Sequence, residues 1–317
     1  MTLLEVAGLT VGVTRSPTSI LANVSFSIPA GKIVGLVGES GSGKTMAALT
    51  IMGLLPDGIE VRSGRVRMDG RQLMDPANLT LRRRSEDMAM IFQHPQAALN
   101  PTMKVGRQIA RVFSLQQGSG RSEAMSQSIE MLRRVGIPGA TRVAQAHPHQ
   151  LSGGMCQRVM IAMALACRPR ILIADEPTTA LDVTIQAQIF DLIRDLVAET
   201  GAGVLFITHD LAAVAEMCDS VTVLFGGQVM EEGSRDDIFR RPQHPYTSFL
   251  LDSVQQEVDP DVVEAGVDFE LVGCRFGHRC RYAWEACGEV PDLFSVGAGH
   301  RSACFLHTVG ENRVGTS

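Results

Sequence analysis

The chain has 317 residues, a formal net charge of −5, and lysine and arginine residues that are scattered rather than clustered. Its length exceeds the ~100 to 150 residues of a typical domain, which predicts a large core with an appendage or a second domain. Because there is no basic stripe, we do not expect nucleic acid as a partner. The start of the chain has no basic segment followed by an apolar run, so we expect no secretory signal. No run of ~20 apolar residues occurs, so we expect no membrane span.

Strand and helix patterns alternate along the first part of the chain. Apolar and polar residues alternate from Val24 to Ile28, which predicts a strand that ends at a Pro-Ala-Gly turn. The runs Ile33–Val37, Ile171–Asp175 and Val204–Thr208 are almost wholly apolar, as strands buried on both faces of a parallel sheet are. Because helical patterns separate these runs, the sequence predicts an α/β fold.

The stretch GESGSGKT follows the first buried run directly and fits the pattern G-x-x-x-x-G-K-[S/T] of a phosphate-binding loop. Its glycines allow a tight turn in which successive N–H groups face phosphate oxygens, and the lysine adds a positive charge there. The threonine hydroxyl can ligate Mg²⁺. We expect the whole stretch to bind nucleotide: Gly38, Glu39, Ser40, Gly41, Ser42, Gly43, Lys44 and Thr45.

Helix-period segments, RQIARVF and AMSQSIEMLRRVG, are broken by loops that contain proline and glycine. They predict a helical subdomain inserted at about 94–160. After it, the strand ILIAD ends in Asp175 and is followed by Glu176, which places two carboxylates at the edge where open α/β sheets bind ligands. We expect Asp175 to hold Mg²⁺ through water and Glu176 to polarise the attacking water.

The stretch LSGGMCQR, taken with GESGSGKT, IFQHP, ILIADEPTTALD and FITHD, resembles the ATP-binding subunit of an ABC transporter over roughly residues 3–233. The resemblance implies a P-loop NTPase core. It also implies that Gln93 touches Mg²⁺ and takes part in catalysis, that His209 contacts the γ-phosphate, and that Asp182 lines a subunit interface. The same resemblance implies that three residues of the signature face a γ-phosphate: Ser152, Gly153 and Gly154.

In this family the signature of one subunit completes the ATP site of another, so the resemblance implies a head-to-tail dimer with a second ATP-binding subunit, either a different chain or a copy of this one. It further implies two transmembrane permease subunits, an extracytoplasmic solute-binding protein, and a peripheral location at the cytoplasmic face of the cell membrane. Gly12 and Val13 stand where the family usually has an aromatic residue for adenine. We therefore assign no adenine-stacking residue.

The stretches VMIAMALAC and RRPQHPYTSFLL resemble the dipeptide, oligopeptide and nickel importer branch of the family. We place a nucleotide-binding cassette at 1–235 and a small cysteine-rich, metal-binding extension at 236–317, joined through the linker VQQEVDPDVVEAG. The resemblance implies an ATPase that powers import of dipeptides or oligopeptides. The alternatives are a nickel importer of the same branch and a soluble ABC ATPase without a transporter.

Four of the seven cysteines fall in the extension with the spacing C-x5-C-x6-C-x16-C. This spacing fits neither paired zinc knuckles nor the compact ferredoxin run, and four thiolates suit either zinc or an iron–sulfur cluster. The resemblance implies a 4Fe-4S cluster on Cys274, Cys280, Cys287 and Cys304, with zinc or no metal as alternatives. The other three cysteines lie in apolar helical settings and are expected in the core. Because the ATP site is expected to use residues before 233, nucleotide binding should not depend on the extension.

Overall fold

The computed structural model describes residues 1–74, 87–179, 181–255 and 273–308. They form two compact units. The first contains Met1, Pro29–Lys32 and the described residues of 84–207, and the second contains Thr2–Ile28 and the described residues of 33–83 and 208–317. Most of the linker predicted from VQQEVDPDVVEAG lies outside the described residues.

Over these residues the strands are β1 (Thr2–Val13), β2 (Ser19–Pro29), β3 (Ile33–Val37), β4 (Ile59–Met68), β5 (Arg71–Met74), β6 (Met88–Ile91), β7 (Ile171–Asp175), β8 (Gly203–Thr208), β9 (Ser220–Phe225), β10 (Gln228–Ser234), β11 (Phe294–Gly297) and β12 (His300–Ser302). The α-helices are α1 (Lys44–Met52), α2 (Pro95–Ala98), α3 (Val105–Gln117), α4 (Arg121–Arg134), α5 (Ala140–Val143), α6 (Gly153–Ala166), α7 (Val183–Thr200), α8 (Leu211–Met217), α9 (Arg235–Arg240) and α10 (Pro245–Gln255). The strands predicted from the three apolar runs are confirmed as β3, β7 and β8.

The first unit contains a parallel sheet and a group of helices. β7 lies between β6 and β8 and pairs with both in parallel, and all five of its residues are buried, as its apolar sequence predicts. The helices α2 to α6 occupy most of the stretch predicted to be helical, and α3 packs against α4 and α6. Val105, Ile109 and Phe113 recur every four residues and form the buried face of α3.

The second unit contains two sheets. One is antiparallel, in the order β2-β1-β4-β5. In the other, β3 pairs with β9 in parallel, and β10, β12 and β11 follow β9 as antiparallel neighbours. The cysteine-bearing end of the chain thus adds two strands to the sheet that contains β3. None of the described helices has the length and hydropathy needed to cross a bilayer.

A buried carboxylate anchors this end of the chain. Glu231 on β10 accepts hydrogen bonds from the backbone N–H groups of Gln243 at 2.7 Å and His244 at 2.9 Å. Its Oε1 also lies 2.7 Å from Nε2 of His300 on β12. Burial lowers the pKa of the neighbouring His244 to about 3, so that ring is neutral. Because a buried carboxylate needs such partners, Glu231 holds β10, β12 and the start of α10 together.

Candidate functional site

The phosphate-binding loop of the second unit joins β3 to α1, and its shape requires glycine. A Cβ atom on Gly38 would lie 2.0 Å from the carbonyl oxygen of Leu224. Gly43 has a φ of 101°, and a Cβ there would lie 2.6 Å from Cδ2 of Leu21. Side chains at these positions would therefore clash and strain the backbone. The pattern G-x-x-x-x-G-K-[S/T] has the conformation that its glycines predict.

The Lys44 side chain forms hydrogen bonds to other residues of this loop. It is 7% exposed, and its Nζ donates to the carbonyl oxygens of Gly38 at 2.8 Å and Glu39 at 2.9 Å and to Oγ of Ser42 at 3.3 Å. The N-cap residue of α1 is Gly43, which has no side chain to accept from the first N–H groups of the helix. A phosphate group placed there would meet the helix dipole and the ammonium group together.

The first unit brings Gln93 and Glu176 together. Nε2 of Gln93 donates to Oε2 of Glu176 at 3.2 Å, and the Thr179 hydroxyl donates to the same oxygen at 3.1 Å. Glu176 also has a φ of 48°, a left-handed conformation that costs a non-glycine residue about 1 to 2 kcal/mol. Asp175, at the end of β7, is 1% exposed. Strain of this kind clusters at functional sites, which supports a catalytic role for this strand end.

The signature and the aspartate of TTALD both lie at helix N-termini of the first unit. Ser152 caps α6, since its hydroxyl accepts the N–H of Met155 at 3.3 Å. Asp182 caps α7 and accepts the N–H of Ile185 at 3.0 Å. At the start of α6, a Cβ on Gly153 would meet no atom within 4 Å. At the start of α7, Val183, which follows Asp182, is 84% exposed. Both helix starts therefore face outward, where a second molecule can approach them.

His209 lies in an exposed turn of the second unit, between β8 and α8. Asp210, the next residue, caps α8 by accepting the N–H groups of Ala212 at 2.9 Å and Ala213 at 3.2 Å. The turn is thus fixed by the cap. The second unit contains Thr45 and the rest of the phosphate-binding loop as well as His209, and the first unit contains the other predicted nucleotide-site residues.

Sequence reasoning missed two residues that contact the phosphate-binding loop. Oη of Tyr246 accepts the backbone N–H of Glu39 at 2.9 Å, and the guanidinium group of Arg279 donates twice to the Glu39 carboxylate. The loop thus has contacts with residues beyond 233, and the expectation that the ATP site uses residues before 233 stays a prediction. The one indication in the sequence is Glu39, an acidic residue inside a loop that is expected to bind anions. Its negative charge needs a nearby positive group.

The four cysteines of the extension line one small cavity of about 20 Å³, walled by Phe276, Tyr282, Trp284 and Phe305 among others. None of them forms a disulfide. Burial, with a smaller contribution from the other three thiols, raises the pKa of Cys274 to about 11, and burial also raises the pKa values of Cys280 and Cys304. These three thiols, of Cys274, Cys280 and Cys304, are therefore protonated at neutral pH unless a metal displaces their protons.

Within the described parts of the chain, no group of three or more His, Cys, Asp or Glu side chains is arranged to hold a metal ion. The four cysteines converge on one cavity, but their identity as metal ligands remains a prediction. Cys156 and Cys218 are buried, which confirms the expectation for two of the other three cysteines, and Cys167 is half-buried.

The chain matches two families. The ABC transporter family matches residues 21–179, and the family described as the C-terminal region of oligopeptide/dipeptide transporters matches residues 230–287. A probable peptide ABC transporter ATP-binding protein of Sinorhizobium fredii is 46% identical over 302 residues, which are 92% of this chain and 90% of that protein. The dipeptide transport ATP-binding protein of Haemophilus influenzae is 42% identical over 315 residues, which are 94% of each chain.

A solved structure shows the same fold. It is a dimeric ATP-binding cassette in a post-hydrolysis state, bound to ADP and phosphate. It superposes with a TM-score of 0.63 and 27% identity, over 74% of this chain and 99% of that one.

Proposed function

Because the chain belongs to the ATP-binding proteins of the ABC transporter family, we propose that it hydrolyses ATP to power the import of dipeptides or oligopeptides. The relatives named above are peptide or dipeptide transport proteins, and the match over 230–287 is to oligopeptide and dipeptide transporters. These similarities favour peptides over nickel. They also favour a transporter subunit over a soluble ABC ATPase.

The geometry of the phosphate-binding loop is the observation that supports ATP binding most strongly. We propose that residues 38–45 enclose the β- and γ-phosphates, with Lys44 moving its ammonium group from the loop carbonyls to phosphate oxygens. His209 then contacts the γ-phosphate from its exposed turn. Thr45, Gln93 and Asp175 supply hydroxyl, amide and carboxylate oxygens, which is the donor set that Mg²⁺ prefers. When bound, Mg²⁺ offsets the charge on the phosphate oxygens.

For hydrolysis, we propose that the Glu176 carboxylate accepts a proton from the attacking water. The water oxygen bonds to the γ-phosphorus, and the bond between that phosphorus and the oxygen bridging to the β-phosphate breaks, which gives ADP and phosphate. The hydrogen bonds from Gln93 and Thr179 fix the direction of the carboxylate. Such positioning of a base contributes typically 10²- to 10⁴-fold to a rate.

We propose that the outward-facing start of α6 serves the ATP site of a second ATP-binding subunit. Ser152, Gly153 and Gly154 there present a hydroxyl and N–H groups at a helix N-terminus, which suits a γ-phosphate. Asp182 lies at the same interface. The partner is a different ATP-binding chain or a copy of this one. Two permeases and an extracytoplasmic solute-binding protein complete the transporter, and the chain docks on the permeases at the cytoplasmic face of the membrane.

For the extension, we propose a 4Fe-4S cluster on Cys274, Cys280, Cys287 and Cys304. Four thiols around one cavity are the soft donor set that such a cluster takes, and zinc is the alternative occupant. A cavity of about 20 Å³ has room for about one water molecule, so the thiols must move apart when a cluster enters. The iron–thiolate bonds would cross-link the segment around residues 274–287 to the residues after β12.

The experiment that tests the proposed function is purification of the transporter from membranes through a tag on this chain. We expect two permeases to accompany the chain, and ATP hydrolysis by the complex to rise when a peptide-loaded binding protein is added. A chain that elutes without membrane proteins and hydrolyses ATP regardless of peptides would instead be a soluble ATPase.

A further inference from the structure

The Glu39 carboxylate in the phosphate-binding loop forms a two-point ion pair with Arg279. Nη1 of Arg279 lies 2.9 Å from Oε2 of Glu39, and Nη2 lies 3.1 Å from Oε1. The Arg279 side chain is only 9% exposed and the Glu39 side chain only 19%. Paired contacts of this kind fix both the position and the orientation of a carboxylate. The ion pair therefore restrains both side chains more strongly than a surface salt bridge between two mobile side chains would.

Aromatic rings enclose the guanidinium group. Its Cζ atom lies 5.1 Å from the ring centroid of Phe249, 5.5 Å from that of Phe225 and 5.8 Å from that of Phe276. Ring faces at these distances attract a cation, and they keep water away from it. In such surroundings the attraction between Arg279 and Glu39 is stronger than in bulk water.

The backbone of Glu39 is fixed as well. Its N–H donates to Oη of the buried Tyr246 at 2.9 Å, and its carbonyl oxygen accepts the N–H of Ser42 at 3.1 Å and the ammonium group of Lys44 at 2.9 Å. Burial and the nearby Glu39 charge raise the pKa of Tyr246, so its phenol stays neutral. The position of Glu39 therefore sets the position of the loop around it.

A carboxylate in a loop that binds triphosphate is an electrostatic problem, because like charges repel at short range. We propose that Arg279 is a positioning residue for ATP binding: it neutralises the Glu39 carboxylate and holds it in place, so that the loop presents a net positive field to the phosphates. This inference rests on the proposed role of the loop in binding ATP. Arg279 directly precedes Cys280 and so belongs to the cysteine-bearing extension. The proposal therefore makes this extension a contributor to the nucleotide site.

The first test replaces Arg279 by methionine in the full-length chain. Methionine is flexible and packs well against aromatic rings, so Arg279→Met removes the charge while filling the space between the three phenyl groups. We expect the affinity for MgATP, measured with a fluorescent ATP analogue, to fall roughly tenfold. The matched control is Arg281→Met, on the other side of Cys280, where the exposed guanidinium contacts only the Tyr282 ring among the contacts seen in the described residues. This control should bind ATP as the wild type does.

A second variant separates charge from packing. Adding Glu39→Gln to Arg279→Met removes the carboxylate that the first change left unpaired, and we expect it to restore most of the lost ATP affinity. Arg279→Lys keeps the charge but loses the two-point geometry, so its affinity should lie between those of the wild type and Arg279→Met. In the assembled transporter, Arg279→Met should raise KM for ATP and change kcat little. Thermal unfolding without nucleotide reports whether each variant is folded.

Each outcome decides between explanations. Unchanged ATP affinity in Arg279→Met overturns the inference. A loss that Glu39→Gln fails to restore also overturns it, because the residue would then act through packing of the extension. Lys44→Ala tests the proposed function separately. If Lys44→Ala keeps full ATP affinity, the loop is not the phosphate site, whereas a loss in Lys44→Ala without a loss in Arg279→Met defeats only the role of Arg279.

Discussion

The amide of Gln93 donates to the carboxylate of Glu176, with 3.2 Å between Nε2 and Oε2. The two residues are 83 positions apart in the sequence, and each was expected to be catalytic for a separate reason. Their contact gives the carboxylate a fixed direction before any nucleotide binds. A base that is already oriented needs little reorganisation when the water attacks.

The first prediction concerns this carboxylate. Glu176→Gln keeps the size and the hydrogen-bonding capacity of the side chain but removes the base. We expect kcat for ATP hydrolysis by the transporter to fall by ~10²- to 10⁴-fold, while ATP affinity stays within about twofold and the ATP-bound dimer accumulates. Steady-state kinetics and gel filtration with ATP measure the two effects. Near wild-type turnover would contradict the assignment of the base.

The second prediction concerns the outward-facing signature. Gly153→Asp places a carboxylate at the start of α6, where its Cβ meets no other atom within 4 Å and the helix dipole tolerates negative charge. The variant should fold and bind ATP normally as a single chain, but its charge should repel the γ-phosphate on the partner subunit. We expect loss of ATP-dependent dimerisation with Glu176→Gln as the common background.

Gly120→Asp is the matched control for this change. Gly120 is also an exposed residue at the start of a helix, α4, and a Cβ there likewise meets nothing within 4 Å. Dimerisation should persist in Gly120→Asp. Equal behaviour of the two variants would show that the start of α6 is not at the subunit interface.

Local signals were enough to predict much of this fold. The strands β3, β7 and β8 were predicted because almost wholly apolar runs report burial on both faces of a strand. The phosphate-binding loop was predicted because its glycines are required by backbone geometry, which the local sequence encodes. The contact between Glu176 and Gln93 was not predicted, since periodicity does not report contacts between distant segments.

The long-range contacts of the extension could not be predicted. Arg279 and Glu39 are 240 residues apart, and nothing in either local stretch indicates the other. The same holds for the pairing of β12 with β10, which depends on the buried Glu231 and its contact with His300. The expectation that nucleotide binding does not depend on the extension stays a prediction, which the Arg279 variants test.

The third prediction concerns metal content. Protein purified without oxygen should absorb broadly near ~400 nm and contain about four irons per chain, as thiolate-bound 4Fe-4S clusters do. Cys280→Ser should lose this absorbance and make residues 273–308 more sensitive to proteases, since a lost metal loosens the segment that it joins. Cys167→Ser, which changes a half-buried cysteine outside the cavity, is the control. Zinc in place of iron would rule out the cluster.

The fourth prediction follows from the pKa of Cys274, which burial raises to about 11 from the ordinary 9.0. In the metal-free protein at pH 8, its thiolate fraction should be roughly 100-fold smaller than in the unfolded chain, because two pKa units separate the states. Iodoacetamide should therefore modify Cys274 about 100-fold more slowly in folded protein than in urea. The folded rate should rise as the pH increases from 8 to 11, and peptide mass spectrometry measures both rates.

Equal rates in the folded and the unfolded chain would show that Cys274 is exposed to solvent, against the cavity described above. The sign of the effect on stability follows from the same shift. Since the folded state favours the protonated thiol, the contribution of Cys274 to stability is complete below pH 9 and is lost as the pH rises towards 11.

The central claim is that this chain couples ATP hydrolysis to peptide import, and peptide transport across the membrane of reconstituted vesicles measures it directly. The transporter is reconstituted in liposomes with its nucleotide-binding side outward, the binding protein and labelled peptides are enclosed, and peptide efflux driven by external MgATP is recorded. We expect ATP-dependent efflux of dipeptides or oligopeptides that stops in Glu176→Gln. Efflux of peptides without ATP, or ATP hydrolysis that moves no peptide of any length, would contradict the account.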